Sequence, residues 1–303
     1  MQDLDRSKNP SAFTPMKTLP LPLAVILAGF ALLTETQAAV VFSEDFTGDT
    51  SLSSAFTVGS GAGVTVGVST DQGNPAPSLT IADASTANSG SATVYGNNWS
   101  AFNTATGSNK VFEVAFDWRI DSSISSSAST LRFNVSLGGT TATTVNIGFG
   151  HAVIGGTDTN ILYAAGGTSG ATPSSSNAIG YTGSSFLSGF NFGAYSSSTA
   201  TNNSTGGDYY HFTLTYVDQA TSAQLNVYNI SDPSQTATVT ISGITATSVA
   251  NTSGRYIQSL SGQSGTGVSY VDNIVVSVIP EPSTTALAVA GAALGLFLVR
   301  RRR

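Results

Sequence analysis

Lys110-Val-Phe-Glu-Val-Ala-Phe-Asp-Trp-Arg-Ile-Asp121 is the stretch whose reading decides the fold. Phe112, Val114, Phe116, Trp118 and Ile120 share one parity, and Glu113, Ala115, Asp117, Arg119 and Asp121 share the other. In an extended chain successive side chains point to opposite faces, so the stretch predicts a strand with one buried and one wet face. Burying side chains of this size is worth on the order of 10 kcal/mol in all, before conformational entropy is subtracted. The stretch is therefore expected to be a central core strand.

The same period of two recurs outward from it. Leu131–Leu137 alternates and ends at Gly138-Gly139, with Thr143–Phe149 as its expected hairpin partner. Asp208–Asp218 alternates with Tyr210, Phe212, Leu214 and Tyr216 on one face, followed by Ala223–Ile230, Thr236–Ile241 and Gly267–Ile279. Earlier strands are predicted at Val40–Phe46, Gly63–Val68, Leu79–Ala82 and Ala92–Tyr95. Residues 150–207 are rich in Gly, Ser, Thr and Asn and read as long loops with one or two short strands around Ile161-Leu162-Tyr163 and Phe186–Phe192. Many short strands in a segment of this length predict an all-β fold, an antiparallel β-sandwich of jelly-roll type. Phe42-Ser-Glu-Asp-Phe46, Tyr210-His-Phe-Thr-Leu-Thr-Tyr216 with Leu225-Asn-Val-Tyr228, and Tyr270-Val-Asp-Asn-Ile-Val-Val276 resemble pieces of the concanavalin A-like lectin/glucanase sandwiches. A galactose-binding-like sandwich is the nearby alternative. A right-handed β-helix is the other, although no fixed repeat period is visible.

Charge is distributed unevenly. The chain carries 11 Lys+Arg and 17 Asp+Glu. Between residues 39 and 279 only Lys110, Arg119, Arg132 and Arg255 face thirteen acids, which leaves a net charge of −9. Nucleic-acid binding needs a basic footprint, and this segment has none. With no cysteine in the chain, disulfides and thiolate-held metals are excluded.

Both ends read as addresses. Met16-Lys17 precedes an apolar run from Leu19 to Leu33, then Thr36-Gln37-Ala38. This is the order of a signal peptide, a basic n-region, an apolar h-region and a small-x-small cleavage site. Residues 1–38 are thus expected to be a signal region cleaved after Ala38, and a start at Met16 gives the more ordinary signal length. At the other end stand Pro280, Glu281 and Pro282, an uncharged run Ala286–Val299, and Arg300, Arg301, Arg302 and Arg303. As a helix the uncharged run reaches about 21 Å, or about 25 Å with Ser283–Thr285, short of a bilayer core of about 30 Å but workable if the arginines snorkel. The basic cluster is expected to stay on the cytoplasmic side. The expected organisation is 1–38 signal region, 39–279 β-sandwich ectodomain, and 280–303 sorting tail with a transmembrane helix over 284–299 and a basic end over 300–303.

The Pro-Glu-Pro tripeptide, apolar helix and terminal arginine cluster together resemble the PEP-CTERM sorting signal of Gram-negative bacteria. That resemblance implies an inner-membrane-anchored precursor, recognition of Pro280, Glu281 and Pro282 by an exosortase-type membrane enzyme, cleavage nearby, and delivery to the cell surface or extracellular matrix.

No catalytic constellation is visible. A glycosidase needs two carboxylates roughly 5–10 Å apart, whereas Glu113 and Asp117 are separated by roughly 13 Å along one strand. Asp117 and Asp121, with Arg119 between them, read as a solvated charge ladder. The two histidines differ in placement: His211 alternates outward as a surface residue, and His151 stands at a strand end with room for a pocket role. Neither His-Glu-x-x-His nor a helix after Gly59-Ser-Gly61-Ala-Gly63 is present. One metal site is expected on hard-oxygen grounds: Glu44 and Asp45 on the first strand and Asp272 on the last would share a structural calcium ion if those strands pair. Trp99, Tyr163, Tyr181, Phe190, Phe192 and Tyr195 lie off the alternating faces, as core plugs or as rings for stacking on sugars. The reading is a non-catalytic, glycan-binding envelope or matrix protein. The alternatives are a polysaccharide-active enzyme of the same fold and a self-associating structural surface protein.

Overall fold

The computed structural model describes residues 38–85, 87–95, 110–121, 131–137, 143–167, 173–195, 207–246, 256–261 and 267–279. In chain order the strands are β1 (Ala39–Glu44), β2 (Thr57–Ser60), β3 (Val64–Ser69), β4 (Ser78–Asp83), β5 (Gly90–Tyr95), β6 (Val111–Ile120), β7 (Leu131–Ser136) and β8 (Thr144–Ile154). They continue as β9 (Thr157–Gly167), β10 (Tyr181–Thr182), β11 (Ser185–Phe186), β12 (Tyr210–Val217), β13 (Ser222–Asn229), β14 (Thr236–Ser242), β15 (Tyr256–Ser261) and β16 (Gly267–Ile279). Among the described residues all the regular structure is β, and every strand pair is antiparallel.

Two sheets carry the fold. Sheet A has eight strands in the order β14-β13-β12-β6-β16-β4-β3, with β1 also on β16. Sheet B has six in the order β2-β5-β15-β7-β8-β9. The decisive stretch is β6, in the middle of sheet A between β12 and β16. Its apolar parity is fully inside: Phe112, Val114, Phe116, Trp118 and Ile120 are all buried in one core with Phe133, Val135, Ile147 and Phe149 of sheet B. The sheets meet directly where the Phe116 ring stacks on Phe133 at 3.7 Å and 18°, with Phe212 stacked on its other side at 5.0 Å and 5°. This is a sandwich: each sheet covers the other's apolar face, so neither is left wet.

Sheet A is split along one edge, and the split positions the site described below. One edge of β16 is taken along its length by β6. The other is shared: β4 pairs with Gly267–Val271 and β1 with Ile274–Val278. Between them the register of β16 slips at Asp272, and Asn273 takes φ +50°. A bulge of this kind inserts an unpaired residue and re-aims the side chains around it. The loop between β3 and β4, which contains Asn74, closes over the gap.

The structure corrects several sequence expectations. Residues 150–167 are not loop: β8 runs on through His151 to Ile154, turns at Gly155-Gly156, and returns as the eleven-residue β9. Tyr163 and Phe190 follow the core-plug alternative of the sequence reading and are buried rings. Short β2 and β15 complete sheet B at positions where no strand was expected. The signal region, Trp99, Pro280, Glu281, Pro282, the 284–299 helix and Arg300–Arg303 lie outside the described residues. Among the described residues no helix is long and apolar enough to cross a membrane.

Candidate functional site on the outer face of sheet A

The outer parity of β6, β12 and β16 brings three titratable groups into one row. His211 of β12 pairs in register with Asp117 of β6, and Asp117 with Asp272 of β16. Sequence spacing placed these residues far apart, and cross-strand register makes them neighbours. Asp117 is 3% exposed and Asp272 0%, so Asp117 is not part of a solvated ladder. Only Arg119 and Asp121 fit that expectation: they pair at 2.5 Å, with the guanidinium between the Tyr209 and Tyr270 rings at 5.7 and 5.6 Å.

Each carboxylate oxygen of the buried pair accepts a hydrogen bond. The Asn74 backbone N–H donates to Asp272 Oδ2 at 2.6 Å, and the Asn273 N–H to Oδ1 at 2.7 Å. Asn74 Nδ2 and Asn273 Nδ2 donate to Asp117 Oδ2 at 3.1 and 2.8 Å. His211 Nδ1 lies 2.6 Å from Asp117 Oδ1. Asn273 Nδ2 also reaches the Asn74 carbonyl at 2.6 Å, which ties the loop to the bulge. Burial chiefly pushes the Asp272 carboxyl up to about 6; the negative charges of Asp117 and Asp45 add to the rise, and the two backbone N–H donors oppose it. Two buried carboxylates side by side favour holding one proton.

Among the described residues the expected calcium ligands are not brought together. β1 and β16 do pair as expected, yet Glu44, Asp45 and Asp272 do not gather. Glu44 accepts from the Phe46 N–H and the Ser53 hydroxyl, and Asp45 from the Thr47 N–H. Among the described residues no group of three or more His, Asp or Glu is placed to hold a metal ion. N–H donors point at every oxygen of the Asp117–Asp272 pair, where a cation would need bare oxygens.

Farther along the same face, His211 Nε2 lies 3.2 Å from Thr213 Oγ1, and its ring is 5.0 Å from that of Tyr228 on β13. Asn226, opposite Thr213, accepts from the Thr238 hydroxyl of β14 through Oδ1 at 2.8 Å. Tyr228 is 37% exposed. The sequence contained the alternation that turns Tyr228 outward, but only the apolar parity of that strand was put to use. The rings singled out in sequence serve elsewhere: Tyr181 packs on Phe186, and Phe192 on Phe149 and Tyr210.

His151 lies in a second cluster. Its Nδ1 is 2.7 Å from Asp158 Oδ1, and its ring stacks on Tyr195 at 3.7 Å and 1°. Nε2 is buried without a partner, and so is Oδ1 of Asn160, which pairs with His151 across β8 and β9.

No protein-family model matches the chain, and no curated protein matches it in sequence. Solved structures with a similar arrangement include a conserved carbohydrate esterase from Shiga toxin-encoding bacteriophage phi24B, at 12% identity and TM-score 0.44, covering 80% of this chain and 99% of the esterase chain. Lectin II from Ulex europaeus is 10% identical with TM-score 0.41, covering 79% of this chain and 99% of the lectin. The CBM2 module of the evolved Dit of Lactobacillus casei BL23 phage J-1 is 12% identical with TM-score 0.43, covering 82% and 99%.

Proposed function

We propose that the chain is an exported, non-catalytic protein of the cell envelope or extracellular matrix whose sandwich, of jelly-roll type, binds glycan. The observation that carries this reading is the outer face of sheet A: an exposed tyrosine among hydroxyl and amide side chains that hold one another, anchored by His211 on a buried carboxylate. Such a surface offers a flat ring and fixed hydrogen-bonding groups, the two things a sugar ring uses. The leader and the Pro-Glu-Pro tail supply export, inner-membrane retention and release by an exosortase-type enzyme. Cleavage after Ala38 would leave β1, which begins at Ala39, complete.

A second reading has one observation in its favour. Asp117 and Asp272 are side by side with one pKa raised, as in a glycosidase acid pair. Against it, Asp272 has no exposed surface and all four oxygens are taken. The test is the purified full chain incubated with soluble polysaccharides. Retention without release of reducing ends is expected. Release of reducing ends that is lost in Asp272→Asn would replace binding by hydrolysis.

A further inference from the structure

We propose that His211, Thr213, Asn226, Tyr228 and Thr238 form a binding site for a neutral sugar ring of a polysaccharide. The proposal rests on the glycan-binding reading and adds where the glycan sits and what its charge is.

Register and parity put these residues together. Tyr228 pairs with His211, Asn226 with Thr213 and Thr238 with Asn226, so the five side chains occupy two adjacent rows on the outer face of β12, β13 and β14. Tyr228, Asn226 and Thr238 are exposed. An exposed polar sheet face usually consists of mobile, solvated side chains. Here the polar groups hold one another in fixed positions. Asp117, itself buried, holds His211 Nδ1, which leaves Nε2 facing the Thr213 hydroxyl. Thr238 takes the Asn226 carbonyl oxygen, so Nδ2 is the donor that amide has left to offer. Groups fixed before binding lose less entropy when a ligand arrives. Tyr228 offers an exposed ring beside this fixed set, tilted 33° against the His211 ring with centroids 5.0 Å apart.

Charge selects the class of ligand. None of the residues at the outer positions of β13 and β14 is charged, and residues 39–279 carry thirteen acids against four bases. An anionic polysaccharide would meet repulsion from the whole domain, and among the described residues the arginine of this face, Arg119, is committed to Asp121. A neutral pyranose needs only a ring to stack on and alternating donors and acceptors, which this face presents.

The experiment is affinity electrophoresis of the full chain in mild detergent, through gels containing a neutral glucan, galactan or xylan, or alginate as the anionic comparison. Retardation is expected in at least one neutral gel and not in alginate. Tyr228→Ala is expected to weaken it by about tenfold or more, as loss of a central aromatic anchor does. Tyr228→Phe is expected to retain binding, and Tyr181→Ala, on the β10–β11 hairpin, to match the parent. Undiminished retardation of Tyr228→Ala, with a melting midpoint equal to the parent's, would overturn the site while leaving glycan binding standing. Absence of retardation in every gel, alginate included, would overturn the glycan reading with it. Retardation in alginate alone would overturn the neutral class.

Discussion

Asp272 shows how a single residue's surroundings become measurable. Burial raises its carboxyl from 3.8 to about 6 in the folded chain. Between those values the folded state binds more protons than the unfolded one. Stability from this group is therefore greatest below pH 4 and declines as pH rises through 6. The shift corresponds to on the order of 3 kcal/mol. Asp272→Asn removes the titration, whatever the amide costs beside two N–H donors. In urea denaturation from pH 4 to 7.5, the parent is expected to lose stability relative to the variant by about 2–3 kcal/mol as pH rises. A difference that stays flat with pH would show that Asp272 titrates normally. The pairing of Asp272 with Asp117 was not readable in the sequence, because 117 and 272 become neighbours only through β6–β16 register. One signal was present: the inward parity of Val271 resumes at Ile274, and the polar pair Asp272-Asn273 marks the slip.

Strands reveal themselves in sequence when one face is dry and the other wet. β6, β12 and β13 meet that condition and were predicted from their alternation. β9 does not: its residues from Thr159 to Ala164 are buried on both faces, so no period of two survives. The outer side of the β8–β9 hairpin carries a small apolar cluster of its own, Ala152, Ile154, Ile161, Tyr163 and Ala178. β2 and β15 were missed because Thr57–Ser60 and Tyr256–Ser261 are short and largely polar. Two substitutions test this picture. Phe116→Ala removes the ring stacked between Phe133 and Phe212 and is expected to cost about 3–5 kcal/mol in denaturant unfolding. A loss below 1 kcal/mol would mean that the two sheets do not meet there. Gly148→Ala places a methyl group against the buried Tyr163 ring that crosses this glycine. It is expected to cost about 1–3 kcal/mol by overpacking, while the same change at Gly155, in the exposed turn, meets no neighbouring atom and costs only backbone strain at its φ of +58°.

On the scale of the whole molecule the charges and the ends act together. The −9 of residues 39–279 keeps the sandwich away from anionic surfaces. On the proposed reading, attachment to a membrane would come from the terminal segments. If Pro280, Glu281 and Pro282 are the recognition residues, replacing them with alanine leaves the apolar run and Arg300–Arg303 intact. The chain should then still be exported and held in the inner membrane, and should accumulate there at full length. Removing Arg300–Arg303 would attack a different step, since on this reading the basic end would fix the orientation of a short span. Cell fractionation with antibody to the sandwich separates the two. The tripeptide variant should move from the surface or medium to the inner membrane with its mass unchanged. The truncated form should lose its defined membrane orientation, read by protease accessibility in spheroplasts. Equal surface delivery of the parent and the tripeptide variant would remove Pro-Glu-Pro as the sorting determinant. Delivery of the sandwich would then have to depend on another determinant than the tripeptide.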